Sequence, residues 1–118
     1  MKFSSSLKNN YEFRRLYSKG KSAATPIMVV YYRKNGREYN QIGITVSNKI
    51  GKAVHRNRVR RRLREIYRTN ETKLRRGIDI VLVARARSRY STYWELEKAF
   101  LTACEKLGIL SGAVQDKS

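Results

Sequence analysis

Residues 77–85, GIDIVLVAR, are apolar almost without a break, a pattern that predicts a strand covered on both faces. Two shorter runs precede it. Residues 27–33, IMVVYYR, are β-branched and aromatic, with Pro26 suited to a strand entry. Residues 41–47, QIGITVS, put Ile42, Ile44 and Val46 on one face at period two. Asn35-Gly36 between them signals a turn, which Arg37-Glu38 lengthens beyond a two-residue hairpin. The first run either breaks in two or pairs straight with the second; one long strand is the favoured reading. Helical spacing brackets these strands. Phe13, Leu16 and Tyr17 at i, i+3, i+4 predict a helix over about 10–18, stopped by Gly20. Thr92 and Glu95 stand in capping-box spacing ahead of a stripe of Tyr93, Leu96, Phe100, Ala103 and Leu107. Gly108 ends that helix, and Ile109 is placed for a C-terminal hydrophobic contact.

Between the second and third strands lies KIGKAVHRNRVRRRLREIYR, residues 49–68, with nine Lys or Arg and one acid, Glu65. At 100° per residue, Val59, Leu63, Ile66 and Tyr67 cover one side of a helix. Asn57, Arg61, Arg64 and Arg68 line the opposite side, with Arg58 and Arg60 on its flanks. Arg56 and Arg62 sit nearer the apolar edge, where long stems lie along the core while the charged heads stay wet. The element order is therefore α-β-β-α-β-α with room for an extra strand, and the passage from 41 to 84 is a parallel crossover. No repeat or Gly/Ser linker divides the chain. Its 118 residues predict a single domain with one modest core, frayed over about 1–6 and 111–118.

Charge changes the picture. Lys and Arg number 27 against 9 acids, a formal net charge of +18. Like charges three or four apart destabilise a helix by roughly 0.2–0.5 kcal/mol per pair, and only Glu65 relieves them within 49–68. Such a helix is explained by a polyanionic partner, and Arg in place of Lys suits bidentate phosphate contact and base stacking. Charge and projection do not separate RNA from DNA. A DNA-binding regulator would need helix-turn-helix punctuation or a dimerising heptad, and neither is present. A structural RNA binder of the ribosomal type fits the composition equally well. No apolar run reaches a membrane-spanning length, and MKFSSSLKNN lacks the apolar stretch of a signal peptide. Cys104 is the only cysteine and His55 the only histidine, so an internal disulfide and a Cys/His metal quartet are both excluded. The chain reads as cytoplasmic.

The run KIGKAVHRNRVRRRLRE, with its Arg56-Asn57-Arg58 core, resembles the signature of the bacterial ribonuclease P protein subunit. The resemblance spans most of the chain: Leu7 through Phe13, Tyr17 and Gly20 match the family's first helix, GITVSNKIG the strand before the motif, and GIDIVLVAR the strand after it. It implies an α+β sandwich, α-β-β-β-α-β-α, with a mixed sheet and a left-handed crossover around the Arg-rich helix. It also implies a subunit that binds a catalytic RNA and the 5′ leader of precursor tRNA, promoting endonucleolytic removal of the leader. In the family a divalent metal, normally Mg2+, is used by the RNA subunit, and no metal is expected on this chain. Lys49, Lys52, Arg56, Asn57, Arg58, Arg60, Arg61, Arg64 and Arg68 fall on the RNA-subunit-binding positions. Gly51 lets the approach loop turn and come close. Phe13, Tyr17 and Tyr31 fall on the leader-binding cleft, although Phe13 and Tyr17 at i, i+4 equally suit a core-facing helix. The two sets are expected on separate surfaces. Three departures stand out: Asn48 where Lys is common, Arg62 where an apolar residue is frequent, and few cations before the first helix.

No protein active site is expected. A nuclease built on His55 would need a second acid or base and an electrophile, and the acids are scattered singly. His55 reads as RNA-facing or solvent-exposed, Asp79 as a structural hydrogen-bond acceptor, and Cys104 as a small core residue. Expected partners are the ribonuclease P RNA and precursor tRNA, with no membrane and no dedicated protein partner.

Overall fold

The computed structural model describes residues 4–111. Its elements are β1 (Ser4–Ser6), α1 (Asn10–Lys19), β2 (Lys21–Ala24), β3 (Met28–Lys34), β4 (Asn40–Thr45), α2 (Ala53–Asn70), β5 (Ile78–Ala84) and α3 (Tyr93–Leu107). The sheet order is β1-β4-β5-β3-β2. β1, β4 and β5 run parallel, while β3 is antiparallel to both β5 and β2. The sheet is mixed, β4–α2–β5 is the expected parallel crossover, and three strands lie between α1 and α2.

β5 holds the centre because both its faces can be buried. Ile78, Ile80, Leu82 and Ala84 pack with Val59, Leu63, Ile66, Leu96 and Phe100 beneath α2 and α3. Val81, on the other face, packs with Leu7 and Leu16 under α1. The long apolar run thus serves two layers at once. The expected stripe of α2 is buried; in α3, Leu96, Phe100 and Ala103 are buried together with Ala99 and Cys104, while Tyr93 and Leu107 at the two ends are only half-buried. Thr92 accepts the Glu95 backbone N–H at 3.1 Å, the Glu95 carboxylate accepts the Thr92 N–H at 2.8 Å, and Gly108 closes α3 at φ 72.

Two expectations need correction. The 27–33 run is one strand, but it does not pair with 41–47. β5 lies between them, with Asp79 opposite Arg33 on one side and Gln41 on the other. The Asn35-Gly36 segment is therefore a crossing loop that spans the end of β5, pinned by Asn35, whose side chain donates to the Asp79 carboxylate at 3.0 Å. The second correction is at the start of the chain. Residues 4–6 are a parallel edge strand on β4, with Ser4 opposite Asn40, rather than a frayed segment. The cause is a buried polar cluster. The Ser4 hydroxyl lies 2.7 Å from the Tyr67 hydroxyl and donates to the Glu71 carboxylate, and Asn40 donates to the Tyr67 oxygen at 3.3 Å. Residues 1–3 and 112–118 lie outside the described residues.

Candidate RNA interface

α1 is amphipathic in two senses. Leu16 is buried against the sheet, while Asn10, Phe13, Arg14 and Tyr17, at i, i+3, i+4, i+7, line one wall of an open groove. The opposite wall is Ile44 and Thr45 at the end of β4 and Val46 just beyond it, together with Arg60 of α2. The absence of a side chain at Gly43 creates the seat for Phe13: a β-carbon there would lie 2.5 Å from the ring. Tyr17 meets Tyr31 edge-to-face at 4.9 Å between centroids, and its hydroxyl is 2.9 Å from the Thr45 hydroxyl. Tyr17 is the exposed ring of the three, at 39%, and Phe13 and Tyr31 are half-buried behind it. The three expected cleft aromatics are therefore brought together, with Tyr17 offering a free face.

α2 presents its cations as the projection requires. Asn57, Arg58, Arg61, Arg64 and Arg68 are exposed, as are Lys49 and Lys52 in the approach. Arg68 is spent on Glu65, with Nε donating at 2.9 Å, so the one acid of the stretch relieves Arg68 rather than the row around Arg61. Two guanidinium groups turn inward instead of staying fully in water. Arg56 donates to the Gly51 carbonyl at 2.7 Å, and Arg62 to the Ser91 carbonyl at 3.0 Å. The departure at Arg62 is explained by that bond: the stem packs, and the head ties α2 to the entry of α3. Gly51 has φ 134, a conformation L side chains rarely adopt, and a β-carbon there would meet Arg89 at 2.8 Å.

The two expected surfaces are not separate. Arg60 lines the groove with Phe13 and Tyr17, and with Arg64 it also lines the adjoining cleft formed by Leu7, Phe13, Ile42 and Tyr67. Its guanidinium donates to the Asn57 side chain at 3.2 Å. Asn10 and Arg14 are groove residues that were not singled out in the sequence, although their helical spacing with Phe13 and Tyr17 was there to be read.

His55 Nε2 lies 3.1 Å from an Arg89 guanidinium nitrogen, which can only donate, so this contact suits a neutral ring with Nε2 as the acceptor. Partial desolvation, then Arg89, Arg58 and Lys52, hold its pKa below the ordinary 6.5. Cys104 is buried, and desolvation pushes its thiol up to about 12, far from a reactive thiolate. Among the described residues no three His, Cys, Asp or Glu side chains could hold a metal ion, and no helix is long and apolar enough to cross a membrane.

Comparison with known proteins identifies the family and the fold. The family model described as Ribonuclease P matches residues 1–108. The ribonuclease P protein component of Alkaliphilus metalliredigens is 43% identical over 94% of this chain and all of that one. The Staphylococcus aureus RNase P protein superposes with a TM-score of 0.82 at 29% identity, covering 90% of this chain and 97% of that one. A variant of that protein with defective mRNA degradation activity gives the same TM-score of 0.82. The Thermotoga maritima RNase P protein superposes at 0.76 with 33% identity, over 83% of this chain and 93% of that one. The chain belongs to the ribonuclease P protein family.

Proposed function

We propose that this chain is the protein subunit of ribonuclease P, acting in tRNA 5′ processing by binding RNA on two adjoining faces. The outward side of α2 and its approach, Lys49, Lys52, Asn57, Arg58, Arg61, Arg64 and Arg68, holds the RNA subunit, with Arg56 and Arg60 at the edges of that face. The groove between α1 and β4 takes the unpaired 5′ leader of precursor tRNA, stacking bases on Tyr17, Phe13 and Tyr31. Aromatic faces accept any base, at about 1–3 kcal/mol per stack, which suits a leader of variable sequence. Catalysis belongs to the RNA, with Mg2+ held there to hydrolyse the phosphodiester. The protein contributes charge neutralisation and placement.

One observation carries the reading: Arg60 reaches from the Arg-rich helix into the aromatic groove, so a backbone phosphate and its base find partners in one place. The test is precursor-tRNA cleavage at low Mg2+ by a bacterial ribonuclease P RNA, with and without this chain. Addition should restore cleavage at the mature 5′ end, and the chain alone should leave the substrate intact. Cleavage by the nuclease-free protein alone would overturn this and align it with the mRNA degradation activity of the Staphylococcus aureus neighbour.

A further inference from the structure

In the segment that leads into α3 stand two aromatic rings that no core uses, Tyr90 at the edge of a shallow groove with Pro26, Ile27 and Arg87, and Trp94 four residues on. Tyr90 is 79% exposed and Trp94 72%, the highest values for large apolar side chains among the described residues. Neither ring is loosely held. Trp94 lies in the first turn of α3, whose start is fixed by the Thr92–Glu95 capping box, and Tyr93 props it edge-on at 5.2 Å between centroids. Tyr90 ends the short 3-10 turn Ala86–Tyr90, and the Arg89 guanidinium lies 5.2 Å above its ring. The surroundings are cationic. Arg89 also contacts His55, Arg62 is tied to Ser91, and the exposed Arg58 is near enough to act on His55. Glu95, which borders the same groove as Tyr90, is engaged in the cap.

Pre-oriented aromatic faces set among guanidinium groups match the chemistry of an unpaired nucleotide: a π-face for the base and cations for its phosphates. A second copy of this chain fits less well, because a net charge of +18 would meet its like. The groove between α1 and β4 shares no lining residue with the one that Tyr90 borders. We propose that Tyr90 and Trp94 form a second stacking platform, taking an unpaired nucleotide of the RNA subunit while Arg58 and Arg89 hold its phosphates. This rests on the reading of the chain as the partner of ribonuclease P RNA.

Trp94 is the only tryptophan, so its emission reports on the platform directly. Titrating the full chain with a bacterial ribonuclease P RNA should quench that emission in step with binding measured independently by filter retention. A single-stranded leader oligonucleotide should leave it unchanged. Trp94→Ala should weaken RNA binding about 5- to 150-fold, the equivalent of one lost base stack. Trp94→Phe should recover most of that, and both variants should unfold like the parent because the side chain is exposed. Full-affinity RNA binding with unchanged emission and an unaffected Trp94→Ala variant would sink the platform while leaving the proposed function standing. Quenching by the leader oligonucleotide would overturn the assignment to the RNA subunit. So would an emission change that depends on protein concentration alone and tracks a sedimenting dimer, which would make this a self-contact. No RNA binding at all would remove both the platform and the function it rests on.

Discussion

The ring of Phe13 lies on Gly43 so closely that a single added methyl would sit 2.5 Å from its Cε1 and 3.3 Å from Leu7. Gly43→Ala must therefore displace Phe13 toward the groove or strain β4. The expected cost is about 1–3 kcal/mol of stability, read by urea unfolding. Precursor-tRNA affinity should fall with it, because the displaced ring narrows the groove. A variant with parental stability and leader affinity would show that the Phe13–Gly43 contact positions nothing.

Arg61 and Arg64 point away from the core, and Leu63 between them is fully buried. Arg61→Ala and Arg64→Ala should leave the fold intact and each lower the salt slope of RNA-subunit binding by about 0.7–1, the signature of one lost phosphate contact. Leu63→Ala should instead cost about 2–5 kcal/mol of stability. The opposite pattern, with Arg variants unfolded and Leu63→Ala unaffected, would reverse the face assignment.

Tyr17 and Arg60 share the groove, but only Arg60 also borders the cleft beside Arg64. Tyr17→Ala should weaken holoenzyme binding to precursor tRNA by about 1–3 kcal/mol and hardly change binding to mature tRNA, which has no leader. Arg60→Ala should weaken both leader binding and assembly with the RNA subunit. Equal losses for precursor and mature tRNA in a folded Tyr17→Ala variant would return this ring to a packing role.

His55 should titrate below 6.5 in the free protein, as followed by the NMR shifts of its ring protons. Because its folded-state pKa is lowered, the associated stability is present above about pH 6.5 and is lost as pH falls through the lower folded value. Phosphates bound nearby act in the opposite sense and favour the protonated ring. RNA binding should therefore take up a proton and tighten as pH drops across that window. A midpoint above 6.5 in the free chain would contradict the Arg89 contact.

What could be read from the sequence divides along physical lines. β5, α2 and α3 were legible because each buries a face whose periodicity is local: continuous for 77–85, and 3.6 for the two helices. β1 was not, since three serines carry no apolar pattern and their anchor is a hydroxyl reaching Tyr67 and Glu71, more than sixty residues away. Strand order was illegible for a related reason. Nothing within 27–47 says that β5 inserts between the two strands there. At the site, Phe13 and Tyr17 were legible as a helical pair and the Arg row as a helical face. That Arg60 meets the aromatics depends on how α2 crosses the sheet, which neither segment encodes alone. The exposure of Tyr90 and Trp94 was equally hidden, because an aromatic residue beside a helix start usually reads as core.

The insertion of β5 between β3 and β4 also governs how this molecule is made. During synthesis, β3 and β4 emerge long before the strand that each will bond on its inner edge, and the parallel pairing of β4 with β5 closes a loop that includes all of α2. Assembly must wait for residue 84, and such distant pairing makes folding slow relative to a helical protein of this length. In the interval the strongly cationic 49–68 segment is already made while β3 and β4 each keep an unpaired inner edge. A chain ending before Ile78 should show no cooperative unfolding transition, and one ending after Ser111, which keeps the buried Ile109 and the Leu74–Leu110 bridge, should show the full one.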